Sequence, residues 1–114
     1  MRRSKDYLAA AVALVTLAGA LPDAAQPADL AAARTKAQAL CENCHGFNGV
    51  ATLMGAANLS GQQKEYLREQ LRAFRTGRRQ NDQMNVIAKT LSDADIENLS
   101  EWYASFKVTV EMPG

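Results

Sequence analysis

At 114 residues and a formal net charge of +1, the chain has room for one small domain and lacks the basic excess that marks a nucleic-acid binder. With 47% hydrophobic residues, a domain of this size still buries a limited core and commonly needs a staple such as a disulfide, a metal or a cofactor. The two cysteines stand three positions apart and would close too short a loop to stabilise much as a disulfide, so a different staple is expected.

The first segment reads as an export signal. Arg2, Arg3 and Lys5 form a positive start, Leu8 to Leu17 is an apolar run free of charge, and Ala18-Gly19-Ala20 places small residues where a signal peptidase reads them. The apolar run from Leu8 to Leu21 falls short of the about 20 residues a spanning helix needs, so a cleaved signal is preferred to a membrane tether. No cysteine adjoins the run, which argues against a lipidated N-terminus, and Arg2-Arg3 lacks the residues that follow it in a twin-arginine signal. The expected organisation is a signal peptide over residues 1–20, with cleavage there or within Pro22 to Ala28, and one periplasmic domain over residues 21–114. Cleavage removes three of the 13 basic residues and one of the 12 acidic ones, leaving a near-neutral chain.

Asp29 is placed to cap an alanine-rich helix from Leu30 to about Leu40. Gly46, Gly49, Gly55 and Gly61 then break any period, and Gly46 to Gly61 reads as loop. Gln62 to Thr76 is helical, with Leu67, Leu71 and Phe74 on one stripe and Gly77 as its stop. The run GRRQNDQMN reads as a polar loop, followed by a short apolar patch at Val86-Ile87-Ala88. Ser92 with Asp95 forms a box-like cap for the last helix, which carries Ile96, Leu99, Tyr103 and Phe106 on one face and Trp102 beside them. Asp93, Asp95 and Glu97 suit its positive end. Only the tail VTVEMPG is strand-like, and it is too short to define a sheet. The fold class is therefore all-α, with three main helices.

The run "CENCHG", Cys41 to Gly46, contains both cysteines and the single histidine. Three chemistries place a histidine directly after a C-x-x-C pair. A redox dithiol needs a strand-to-helix turn on a central sheet, for which strand signal is missing. A structural zinc site needs four ligands; Cys41, Cys44 and His45 supply three, with the last two adjacent and badly placed to share a tetrahedral ion. Haem attachment fits without forcing. The two thiols stand about one helical turn apart, roughly 5 Å along the axis, and His45 follows them directly. The haem would then be the missing staple, and attachment outside the cytoplasm agrees with the export signal.

The stretch Cys41-Glu42-Asn43-Cys44-His45-Gly46 with Gly49, continued by "NLSGQQKEYLREQLRAFRTGRR" and "MNVIAKTLSDADIENLSEWYASF", resembles the class I c-type cytochromes, in particular the small bacterial monohaem proteins. The resemblance covers essentially the whole chain after the signal. It implies a cytochrome c-like bundle of three main helices around one covalently attached haem c, with the first and last helices crossing. It also implies a one-electron carrier between redox partner proteins rather than an enzyme. In that family an axial methionine comes from the loop before the last helix, where Met84 stands. Met84 is also the single apolar residue in the run Arg78 to Asn85. Its competitors are Met54, close after His45 in sequence, Met112 in the tail and, remotely, Lys89; core filling is the ordinary role of any methionine.

Two positions depart from the family pattern. Ala56-Ala57 stand where a proline commonly offers its carbonyl to the proximal histidine, and alanine keeps that carbonyl. Arg34 or Thr35 falls where the first helix usually has a glycine, so Ala33 and Ala37 are expected to supply the close approach. Lys64, Arg68, Arg72 and Arg75 recur at helical spacing, continued by Arg78 and Arg79. They form either a solvated face or a docking surface for an acidic partner, while Arg78 or Arg79 suits a haem propionate. Tyr66, Trp102, Tyr103 and Phe106 are expected to pack the core and the haem pocket. Two rivals to the free carrier stay open: a haem sensor whose sixth position admits a small ligand, and an electron-transfer subunit of a dehydrogenase complex. A peripheral contact with the membrane is compatible with all three.

Overall fold

Five α-helices and their connecting loops make up residues 26–114, the part of the chain described by the computed structural model. The expected signal over residues 1–20 and the start of the expected domain lie outside the described residues. α1 spans Leu30–Leu40, α2 Glu42–His45, α3 Lys64–Thr76, α4 Asp82–Lys89 and α5 Asp93–Ala104. Among the described residues there is no strand, and the tail that reads VTVEMPG is irregular.

Asp29 caps α1 as its position suggests: its Oδ1 accepts the Ala32 N–H at 2.9 Å, while its own N–H donates to Asn98 Oδ1 in α5, also at 2.9 Å. α1 packs against α5. Ala33 and Ala37, 1% and 5% exposed, are the small residues that allow the approach. α3 begins at Lys64 rather than Gln62, because Gln63 takes the extended conformation of an N-cap residue. Its stripe lies as the spacing predicts, with Leu67 and Phe74 buried, and it stops at left-handed Gly77. The buried cluster Ala37, Leu67, Leu91, Ile96, Leu99 and Tyr103 joins α1, α3 and α5 into one core. Trp102 and Phe106 meet edge to face at 5.2 Å on its flank.

The segment read as polar loop and apolar patch differs. From Asp82 it is a helix, α4, capped by Asn81, whose Oδ1 accepts the Met84 N–H at 2.9 Å. The expectation failed because Asn81-Asp82 is a helix start, not loop filler, and Ala88 behind it is fully buried on the helix's inner face. Met84 consequently sits in the first turn of a helix.

A second correction concerns the basic stripe. Lys64 pairs with Glu101 at 2.8 Å, Arg68 and Arg72 both with Glu97 at 3.5 and 3.1 Å, and Arg75 with Asp93 at 2.5 Å. Arg78 pairs with Glu69 on α3 itself. The stripe is therefore the ion-paired seam between α3 and α5 and not a free cationic docking face. Such half-exposed pairs contribute little each, but together they disfavour sliding of one helix along the other.

α5 opens with the reciprocal cap that Ser92 and Asp95 predict: Ser92 Oγ accepts the Asp95 N–H at 3.0 Å, and Asp95 Oδ2 accepts the Ser92 N–H at 2.9 Å. Ser92→Ala is expected to cost about 0.5–2 kcal/mol of stability, read as a lowered midpoint in urea with an unchanged slope. Burial works to raise the Asp95 pKa, but the Ser92 hydrogen bonds and Lys36 outweigh it and hold the carboxyl below its ordinary range. Arg75 does the same for Asp93. A depressed carboxyl contributes stability above its unfolded pKa and loses it as pH falls through the folded one. The domain should therefore weaken below about pH 4, and Asp95→Asn, weaker at pH 7, should show a flatter acid limb in a stability–pH series.

Candidate cofactor site

The cysteine segment is shaped by backbone hydrogen bonds before any side chain is considered. Cys41 ends α1, its N–H donating to the Ala37 carbonyl at 2.9 Å, and the single turn of α2 follows at once. His45 N–H closes that turn on the Cys41 carbonyl at 2.9 Å. At Gly46 (φ 78°, ψ 156°) the chain reverses, and the Thr52 and Leu53 N–H groups return to the Cys44 carbonyl at 3.1 and 3.2 Å. Gly49 sits so close to Ser60 and Tyr103 that a Cβ there would lie 2.5 Å from Ser60 Oγ. Further back along the loop, Asn58 Oδ1 accepts the Ala51 N–H at 2.7 Å. These contacts fold residues 46–61 back against the cysteine turn.

The folded loop delivers the Ala57 carbonyl to His45 Nδ1 at 2.7 Å. A carbonyl only accepts, so Nδ1 carries the proton and Nε2 presents its lone pair. That is how a metal-binding imidazole is oriented and its basicity raised. The bond expected at Ala56-Ala57 thus survives without proline.

Cys41, Cys44, His45 and Met84 all line one cavity of about 950 Å³, near the top of the usual ~300–1,000 Å³ range for ligand sites. Its walls are largely apolar, with Leu40, Leu59, Leu67, Leu71, Phe74 and Leu91 among them. Tyr66 and Tyr103 line it as expected, whereas Trp102 and Phe106 pack on the core flank instead. Met54 also lines the cavity but is 98% exposed; Met112 and Lys89 stand apart from it, exposed. Of the two arginines, Arg79 reaches the rim, its guanidinium 4.6 Å above the Phe74 ring and donating to Gln70 Oε1 at 2.6 Å, while Arg78 turns away to Glu69. Asn58, which shapes the loop, and Asn85, which ties α4 to α3, were not singled out from sequence; a short amide before or after a turn was the available signal.

The thiol chemistry narrows the use of the site. Both cysteines are free thiols. Burial pushes the Cys41 thiol up, against the Tyr103 hydroxyl beside it and with help from Cys44. Reactive dithiols have the opposite environment, one that lowers the pKa. Among the described residues no three His, Cys, Asp or Glu side chains converge to cage a metal ion. A large apolar cavity, two thiols at one edge, an imidazole with a fixed tautomer and a thioether fit a covalently attached haem. Among the described residues no helix is long and apolar enough to cross a membrane.

No family model matches the chain. It is similar to the thiosulfate dehydrogenase electron acceptor of Thiomonas intermedia, with 41% identity over 84 residues, 73% of this chain and 38% of the relative. Cytochrome c-554(548) of Halomonas halodenitrificans is 35% identical over 68 residues, covering 57% of this chain and 82% of the relative. Among solved structures, reduced recombinant cytochrome c4 from Pseudomonas stutzeri superposes with a TM-score of 0.61 at 36% identity, over 70% of this chain and 50% of the other. The chain spans about two fifths of the length of the longer curated relatives it matches.

Proposed function

The chain belongs to the class I c-type cytochromes, and from that premise we propose that it is an exported one-electron carrier with a single haem c, bonded through Cys41 and Cys44 and ligated by His45 and Met84. The observation that carries the reading is the 2.7 Å bond from His45 Nδ1 to Ala57, made in the wall of the cavity that both cysteines and Met84 share. When bound, the haem supplies a one-electron iron couple.

What the chain contributes is orientation, exclusion and potential. The Ala57 carbonyl keeps the His45 proton on Nδ1, so that Nε2 is the nitrogen offered to the metal. The Met84 thioether, a soft and neutral donor, favours the reduced metal and so raises the potential. Were His45 and Met84 both to hold the iron, oxygen and peroxide would find no site, and the protein would make and break no substrate bond. Its partners are redox proteins. The relative named as an electron acceptor for thiosulfate dehydrogenase supports a dehydrogenase as donor.

The test is an optical spectrum of the purified protein, oxidised and then reduced. Sharp reduced bands of covalently attached haem and a weak far-red band in the oxidised form are expected, with no carbon monoxide adduct of the reduced protein at neutral pH. Carbon monoxide binding would favour the sensor instead. Purification only as part of a larger complex would favour the subunit reading. An expression strain with a working haem-attachment system that still yields no haem would overturn the proposal.

A further inference from the structure

Asn85 places all of its side-chain hydrogen bonds on the backbone around Met84. Its Nδ2 donates to the Phe74 carbonyl at 2.7 Å, in the last turn of α3, and to the Arg79 carbonyl at 2.9 Å, in the turn beyond. Its Oδ1 accepts the Asn81 N–H at 2.8 Å, at the cap of α4. Asn81 in turn holds the Met84 N–H at 2.9 Å, so two amide side chains connect the end of α3 to the methionine. The turn between is short and polar, and its other backbone ties to α3 are Gly77 N–H to the Phe74 carbonyl at 3.2 Å and Arg79 N–H to the Ala73 carbonyl at 3.0 Å.

The position of Asn85 separates it from the residues that would touch the cofactor. Asn81, Asp82, Gln83, Met84, Val86 and Ile87 all line the cavity, and Asn85 does not. It is half-buried on the other side of α4, facing α3. A solvated asparagine would share its polar atoms with water, whereas here both donors and the acceptor are committed to three separate carbonyl and N–H groups.

We infer that Asn85 is a positioning residue, a latch that holds the turn before α4 shut against α3 and thereby keeps Met84 in the cavity wall, where its sulfur would hold the haem iron. The inference rests on the reading of Met84 as the distal ligand. An external ligand such as imidazole must displace Met84, so its apparent affinity scales with the fraction of molecules in which the turn is open. Removing the latch raises that fraction.

The experiment is an imidazole titration of the oxidised holoprotein, haem attached, followed by the shift of the main haem absorption band in every variant and by loss of the far-red band where it is present, for the parent chain, Asn85→Ala, Asn85→Asp, Met84→Ala and the Met84→Ala/Asn85→Ala double variant. Asn85→Ala is expected to raise the apparent imidazole affinity about 10- to 100-fold, the range that follows from losing a set of neutral hydrogen bonds. Asn85→Asp keeps the acceptor for Asn81 but loses both donors, and should fall between the two. In the Met84→Ala background, Asn85→Ala should change imidazole affinity by less than about twofold, since the ligand it positions is gone. A lowered melting temperature with parent-like imidazole affinity in both Asn85 variants would make Asn85 merely structural and overturn the latch while leaving Met84 in place. A Met84→Ala protein with the parent's band and affinity would overturn the ligand reading and the latch together. Should Asn85→Ala fail to fold, Asn85→Asp carries the comparison.

Discussion

Met84→Ala is expected to abolish the far-red band of the oxidised protein and to lower the reduction potential by ~0.1–0.3 V, part of the roughly 0.8 V span that axial ligation commands. On the proposed reading the protein should nevertheless keep its haem, because Cys41 and Cys44 would hold it covalently and His45 stays oriented by Ala57. The reduced variant should bind carbon monoxide, which the parent should refuse. These outcomes separate Met84 from Met54. Met54 lines the same cavity but is 98% exposed, on the loop that carries Ala57 toward His45. Met84 is partly buried, and its backbone is fixed by Asn81 in the first turn of α4. Pre-organised donors lose less entropy on coordination, and that favours Met84. An unchanged spectrum and potential in Met84→Ala, with the change appearing in Met54→Ala, would reverse the assignment.

The helices that frame the cavity were legible in the sequence wherever local chemistry and packing agreed. Asp29, Gly77 and the Ser92–Asp95 pair are caps whose side chains or backbone act within three residues, and the stripes behind them face a single core. α4 was not legible, because its helix is short and its first turn is polar apart from Met84; its stability comes from the Asn81 cap, from buried Ala88 and from packing of the helix on α3. The charges on α3 were misread for a related reason. Helical spacing shows that Lys64, Arg68, Arg72 and Arg75 share a face, but their partners lie on α5, tens of residues away. At the site, C-x-x-C-H announces its chemistry by residue type alone. The 12-residue reach from His45 to Ala57 depends instead on a loop whose path is set by glycine conformations.

That dependence makes Gly46 the most sensitive position for stability. Its φ of 78° with ψ of 156° falls in a region open essentially to glycine alone, a strain of about 1–3 kcal/mol for any other residue. The space is closed as well: a Cβ would stand 2.0 Å from the Val50 carbonyl oxygen, a backbone atom with no rotamer by which to retreat. Relief requires moving the Gly46–Val50 turn, and with it Gly49, whose carbonyl accepts the Leu59 and Ser60 N–H groups. The loop that presents Ala57 to His45 would shift too. Gly46→Ala is therefore expected to cost at least about 3 kcal/mol, a large share of the ~5–15 kcal/mol available to a small domain. On that scale the melting temperature of the holoprotein falls by roughly 12–24 °C or more, at about 4–8 °C per kcal/mol for a domain of this size. Gly55→Ala is the control. Its φ of 87° is likewise positive, but nothing lies within 4 Å of the added Cβ. Gly55→Ala should lose only about 1–2 kcal/mol. Equal losses in the two variants would mean that backbone conformation alone sets the cost and that the approach of Val50 is freely relieved. A larger loss at Gly46, together with a weakened far-red band, would show that this reversal is what ties the cysteine turn to the rest of the site.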